Sequence, residues 1–103
     1  MIRKLVIPEE LGESIEVRLL DWVKTEGEMV NIGDALLEFE TDKAIVLVTA
    51  AQTGALRRCF FDAGDWMKPG DVAAWLSDQP DEPLPAGGGD SAGGILEVTF
   101  DVT

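Results

Sequence analysis

The stretch VKTEGEMVNIGDALLEF, Val23 to Phe39, returns 37 residues later as FFDAGDWMKPGDVAAWL, Phe60 to Leu76. The shared offset sets Gly27 against Gly64, Glu28 against Asp65, Val30 against Met67, Gly33 against Gly70, Asp34 against Asp71 and Phe39 against Leu76. Both copies read glycine, acid, any residue, apolar, any two residues, Gly-Asp. One Gly-Asp pair is an ordinary turn signal. Two copies in register, with the apolar positions also matching, mark an internal duplication. Glycine accepts the positive φ that other residues resist, and a nearby carboxylate bonds local backbone N–H groups. Each half is therefore expected to make the same two turns, joined by a short strand.

Around this frame the apolar segments are short. KLVI (4–7), EVRLLDWV (16–23), ALLEF (35–39), AIVLV (44–48), ALRRCFF (55–61) and VAAWL (72–76) are each of strand length. Several are rich in β-branched or aromatic residues, and helical periodicity is poor throughout. Two similar sets of strands, neither able to bury its apolar face alone, predict an all-β sandwich or flattened barrel. Trp22, Trp66 and Trp75 read as packing anchors or partly exposed plates rather than ligand-stacking residues.

Composition excludes several functions. The 103 residues hold 20 acidic and 8 basic side chains, a formal net charge of -12. Nucleic-acid binding depends on cations that release counterions from phosphates, and anionic membrane surfaces repel such a chain. The same charge favours solubility and keeps copies apart, so the isolated domain is expected to be a monomer. Cys59 is the one cysteine and histidine is absent, which removes disulfide frameworks, zinc sites and His-dependent triads. Cys59 itself reads as a small core residue, not a nucleophile. No carboxylate has an evident pocket partner, so no residue is assigned a catalytic role and no metal is expected. The charged start MIRKLV lacks a signal-peptide core, and no apolar run reaches transmembrane length. A start at Met1 without a transit segment suggests the bacterial cytoplasm.

Composition changes near residue 78. Residues 1–77 form the expected folded domain. DQPDEPLPAGGGDSAGG, residues 78–94, reads as a flexible acidic linker that proline stiffens first and glycine then loosens. ILEVTFDVT, residues 95–103, alternates like a half-buried strand. Its likeness to the opening IRKLVIP favours the first strand of a truncated following domain. The alternative is an edge strand that folds back or swaps.

A lysine stands out in FETDKAIVLV, Phe39 to Val48, at the tip of a tight turn between two apolar strands. The repeat offset carries Asp42 and Lys43 onto Gln79 and Pro80, where the chain leaves the domain. With approximate two-fold symmetry between the halves, Lys43 and the exit would sit at opposite poles. From the Asp-Lys pair alone, a solvated turn residue would be the better reading. The duplicated frame makes presentation of an amine the stronger one.

GDALLEFETDKA, then AAQTGALRR, then GDWMKPGD resembles the lipoyl domain of 2-oxo acid dehydrogenase complexes, over about residues 1–77. The resemblance implies a barrel-sandwich hybrid of two four-stranded antiparallel sheets. It implies lipoic acid in amide linkage to Lys43, with Glu40, Thr41, Asp42 and Ala44 as recognition residues around it. Gly33 and Gly54 match turn positions, and Pro8–Glu16 matches a surface loop through which a decarboxylase selects its own domain. Glu28 replaces a usual aspartate, and the loop reads Leu-Gly-Glu-Ser. The implied role is carriage within a dihydrolipoamide acyltransferase whose catalytic core lies outside this chain. The implied partners are a thiamin diphosphate-dependent decarboxylase, the acyltransferase core, a flavin-dependent dihydrolipoyl dehydrogenase and a lipoate-attaching enzyme. Ala44 after the lysine favours pyruvate over 2-oxoglutarate. A biotinyl carrier shares the architecture but usually sets its lysine between methionines. A glycine-cleavage carrier is normally longer, with added helices.

Overall fold

Four turns define the architecture. Gly27, Gly33, Gly64 and Gly70 hold φ of 95°, 94°, 95° and 93°. Each turn is closed by an acid that accepts the backbone N–H three residues before it. Thr25 N–H donates to Glu28 at 2.8 Å, Asn31 N–H to Asp34 at 2.9 Å, Asp62 N–H to Asp65 at 2.8 Å and Lys68 N–H to Asp71 at 2.8 Å. The turns also stitch the halves together. Gly27 N–H donates to Leu56 C=O and Gly64 N–H to Leu19 C=O, both at 2.7 Å. Leu19 and Leu56 are themselves one repeat apart.

The computed structural model describes residues 1–8 and 16–102. Between the turns run β1 (Ile2–Val6), β2 (Val17–Trp22), β3 (Met29–Val30), β4 (Ala35–Glu40) and β5 (Ile45–Ala50). They are followed by β6 (Gly54–Cys59), β7 (Trp66–Met67), β8 (Val72–Ser77), β9 (Gly94–Ile95) and β10 (Val98–Val102). One sheet has the order β3-β6-β8-β1-β9 and the other β10-β5-β4-β2-β7. Exchanging β1 with β5, β2 with β6, β3 with β7 and β4 with β8 converts the first four strands of the first sheet into the last four of the second, in reverse order. Each half thus supplies strands to both sheets, and neither can fold without its twin. The expected all-β sandwich is observed, with five strands per sheet where four were expected. No helix among the described residues is long and apolar enough to cross a membrane.

The core lies between the sheets. Leu19, Leu36, Leu37, Phe39, Val48, Leu56 and Leu76 are among its fully buried side chains. All six residues of β8 are buried, so its outward face is covered as well. Trp75 meets Phe60 edge-on there, with ring centroids 5.0 Å apart, and its indole N–H donates to Gly89 C=O at 2.8 Å. Trp75 is a packing anchor, while Trp66 is an exposed plate (59%).

The tail corrects the sequence reading. Residues 78–94, most of them exposed, lie along the sandwich instead of leaving it, and residues 94–102 follow the second of the two expectations, an edge strand that folds back. Arg57 ties down the first part by donating to Gln79 C=O at 3.3 Å and Glu82 C=O at 2.8 Å. A Cβ on Gly89 would lie 2.9 Å from Val72 Cβ, so glycine lets this backbone lie directly on β8. Ala92 is buried in the same patch. β9 then pairs in parallel with β1, and β10 pairs antiparallel with β5 from Val98↔Ala50 to Val102↔Val46. Between them Leu96, 3% exposed, plugs the side of the core. Its N–H donates to Lys4 C=O at 2.8 Å, and Ala51 N–H donates to Glu97 C=O at 3.0 Å. The alternation does mark a strand, at Val98–Val102. The tail's partners are the open edges of β1 and β5, which no local pattern names.

Leu96→Ala in the full chain is expected to lower unfolding stability by about 2–5 kcal/mol in urea titration. A loss below about 1 kcal/mol would mean the tail merely rests on the sandwich. The turn acids set a pH dependence. Hydrogen bonds from Thr25 and Asn31 backbone hold the Glu28 and Asp34 carboxyls below their ordinary values of 4.5 and 3.8. Because these folded-state values are depressed, their contribution is complete above the ordinary range and fades as pH falls through the folded values. Thermal melts should therefore drop below about pH 4, less steeply in an Asp34→Asn, Glu28→Gln double variant.

Candidate functional site

The hairpin between β4 and β5 is short because one side chain closes it. Thr41 N–H donates to Ala44 C=O at 2.8 Å. Thr41 Oγ1 accepts from Lys43 N–H at 3.1 Å and Ala44 N–H at 3.0 Å, and donates to Ala44 C=O at 3.3 Å. The hydroxyl thus replaces a second turn of backbone, and the strands beneath it pair directly as Glu40↔Ile45. Phe39 and Val46 are buried one step further down, which anchors both legs in the core. Asp42 and Lys43 are exposed at the apex, while Glu40, Thr41 and Ala44 are half-buried. The five residues singled out in the sequence therefore sit together in one short hydrogen-bonded hairpin loop.

The pole opposite is equally well defined. β5 carries the chain from the hairpin over six residues, about 20 Å at ~3.3 Å per residue. It then crosses to β6, where Ala55 pairs with Ser77. Ser77 marks the end of the second half, so it lies a full strand length from Lys43. Arg3 pairs with Asp78 there, and the N-terminal amine reaches Glu82 at 2.8 Å. The expected opposition between the lysine and the exit from residues 1–77 is present in this sense. The tail then runs back along β5, so Val102 ends beside Val46, near the hairpin.

Other sequence assignments fare differently. Gly33 has the positive φ of a turn glycine. Gly54 is instead the first residue of β6, and a Cβ there would lie 2.9 Å from Ser77 C=O; its glycine serves close strand approach. In the Pro8–Glu16 loop, residues 9–15 lie outside the described residues. Cys59 is half-buried, and burial, with Glu26 and Asp62 adding, pushes its thiol up to about 11. It stays protonated at neutral pH and is a poor nucleophile.

Trp66, expected from the sequence to be a packing anchor or partly exposed plate, and Glu16, the last residue of the expected Pro8–Glu16 loop, border the hairpin. Glu16, Glu40, Thr41, Asp42 and Trp66 line a cleft of about 300 Å³. Glu40 pairs with Arg18, and Arg18 pairs with Trp66, so the cleft runs across the outer face of β4, β2 and β7. The signal for Trp66 was available. Met67 occupies the buried apolar position of the repeat, so its neighbour on a strand must face out.

Two interleaved β-halves with a lysine at one hairpin apex define the class of biotinyl and lipoyl carrier domains. The chain belongs to the biotin/lipoyl family, described as "Biotin-requiring enzyme", whose profile matches residues 4–76. It is 40% identical over 70 residues to the dihydrolipoyllysine-residue succinyltransferase component of 2-oxoglutarate dehydrogenase complex of Bacillus subtilis (strain 168), covering 67% of this chain and 17% of that protein. It is 35% identical over 66 residues to the dihydrolipoyllysine-residue acetyltransferase component of pyruvate dehydrogenase complex of Rickettsia bellii (strain RML369-C), covering 64% and 16%. A third relative is the mitochondrial lipoamide acyltransferase component of branched-chain alpha-keto acid dehydrogenase complex of Mus musculus. There the identity is 33% over 57 residues, covering 54% and 12%. The chain spans about a sixth of the length of the first two relatives.

Thr41→Val keeps the shape and removes the hydroxyl's three hydrogen bonds. It should cost roughly 1 kcal/mol, a fall in Tm of about 4–8 °C. Amide exchange should accelerate at Lys43 and Ala44 while the core strands stay protected. Unchanged exchange at those two amides would refute the closing role of Thr41.

Proposed function

We propose that this chain is a lipoyl carrier domain of a 2-oxo acid dehydrogenase complex and that Lys43 carries the lipoyl group. The observation that carries this reading is the exposed Lys43 at a hairpin apex braced by Thr41, in a domain whose relatives are dihydrolipoyllysine acyltransferase components. The residues fit the group. An amide requires an accessible amine, and amide formation removes a charge that a buried site would have had to neutralise. Asp42 and Ala44 flank the lysine where a biotinyl carrier usually has methionines, which favours lipoate over biotin.

Lipoic acid, when bound, supplies a dithiolane that takes up an acyl group together with two electrons. Everything else is the work of the protein. Phe39 and Val46 fix the legs of the hairpin, so a partner meets the lysine in one orientation. Glu40 and Asp42 present carboxylates beside it, and the chain's charge of -12 steers it toward cationic active-site mouths. Cys59, held as a thiol, does not compete in thiol–disulfide exchange. The partners are a thiamin diphosphate-dependent decarboxylase, an acyltransferase core, a dihydrolipoyl dehydrogenase and a lipoate-attaching enzyme. Ala44 favours pyruvate as the 2-oxo acid, and the likeness to the succinyltransferase component favours 2-oxoglutarate as a second reading.

Intact-mass measurement after incubation with a lipoate ligase, ATP and lipoate should show one lipoyl adduct, absent in Lys43→Arg. A biotin adduct formed by a biotin ligase, or no adduct on a folded domain, overturns the assignment. Reductive acylation of the lipoylated domain should run at least about tenfold faster with a pyruvate decarboxylase component than with a 2-oxoglutarate one, a difference of ~1.4 kcal/mol. The reverse preference selects the second reading.

A further inference from the structure

Trp66 is the most exposed of the three tryptophans, although a tryptophan brings a large apolar area that strand packing normally uses. Its place is not incidental. It stands in the turn-and-strand frame where the first half has Met29, and it forms one wall of the cleft whose other wall is the lysine hairpin. Arg18, the residue between Glu40 and Trp66 in the ladder, leaves this space open, because its guanidinium extends toward Gly64. The cleft therefore joins the foot of the Lys43 loop to an indole face.

Resting on the reading of Lys43 as the lipoyl-bearing residue, the geometry points to this cleft as an intramolecular dock for the arm, with the dithiolane on Trp66. Distance allows it. From β4 across β2 to β7 is two strand spacings, about 10 Å. A lipoyl-lysine side chain reaches roughly 14 Å from its Cα over about eleven bonds. Chemistry favours it over an anionic occupant. The arm is neutral once its amine is an amide, its sulfurs suit the edge and face of an indole, and Glu16, Glu40 and Asp42 repel anions. The tether supplies the remaining condition. An attached group experiences the cleft at an effective concentration in the millimolar range, so a weak contact is well populated. The dock gives the arm a preferred face of the domain between visits to its partners, while its weakness leaves the arm free to transfer.

The test compares the full chain before and after lipoylation, with the adduct on Lys43 verified by intact mass. A disulfide quenches a tryptophan in contact with it, so the Trp66 share of the emission should fall about twofold or more on lipoylation. That share is read as the difference between the native chain and Trp66→Phe, a substitution at an exposed site that leaves the core untouched. Opening the dithiolane with a phosphine, which takes the S–S bond to two thiols, should restore most of the emission. Lipoylated Trp66→Phe should show no quenching of Trp22 and Trp75. An adduct on Lys43 with unchanged Trp66 emission overturns the dock alone. No adduct on Lys43 overturns the reading on which it rests, and the dock with it.

Discussion

The constraint on which this fold depends is the closure of four turns by four carboxylates. Each of Glu28, Asp34, Asp65 and Asp71 accepts a backbone N–H three residues back, and each follows a glycine at positive φ. A strand of two residues, such as β3 or β7, is too short to hold itself by pairing. It exists because a closed turn stands at each end of it. The closures also decide which strands meet, since Gly27 and Gly64 donate across the halves to Leu56 and Leu19. Local hydrogen bonds worth about 1 kcal/mol each thereby set a global topology.

That topology explains why a small acidic chain can present a lysine stiffly. The apolar residues are spent on a core shared by both sheets, so the outward faces can carry most of the charge without loss of packing. The hairpin then needs support from below only, and Phe39 and Val46 supply it. A loop loose enough to swing would also swing the carboxylates of Glu40 and Asp42, and with them the surface that a partner would read.

Much of this was legible in the sequence because the decisive signals are local. The turn glycines, the acids beside them and the strand alternation each act within a few residues, and the 37-residue offset repeats them. The hairpin of Glu40, Thr41, Asp42, Lys43 and Ala44 was legible for the same reason. The tail was not. Residues 98–102 alternate as a strand should, but the partner is chosen by which sheet edges remain open after eight strands have paired. The low apolar content of 78–94 likewise suggested a solvated linker. Yet Gly89 contributes to burial through its missing side chain, lying against Val72 and accepting the Trp75 indole N–H. Glycine content alone does not distinguish a loose chain from one pressed flat against a surface. Trp66 was read as a packing anchor or partly exposed plate, and it is an exposed one. Its outward orientation follows from Met67, but its proximity to the hairpin depends on β7 pairing with β2, a contact between the halves.

The strap formed by residues 78–102 alters how the two poles relate. Ser77 and Lys43 are separated by about the length of β5, so the exit from residues 1–77 does not crowd the hairpin. β10 then retraces that length, so the same sheet edge that would otherwise be exposed beside the lysine is occupied. An uncovered β5 would offer a row of unpaired N–H and C=O groups next to the exposed Lys43. Pairing with β10 replaces that row by the edge of a strand whose outward residues include Thr99 and Asp101, the latter held by Thr49 at 3.2 Å. The open edge of the sheet thus passes from β5 to β10, one strand spacing farther from the legs of the hairpin. What stands directly beside the hairpin legs is then a paired strand, so Glu40 and Asp42 are the carboxylates nearest Lys43 along the loop itself.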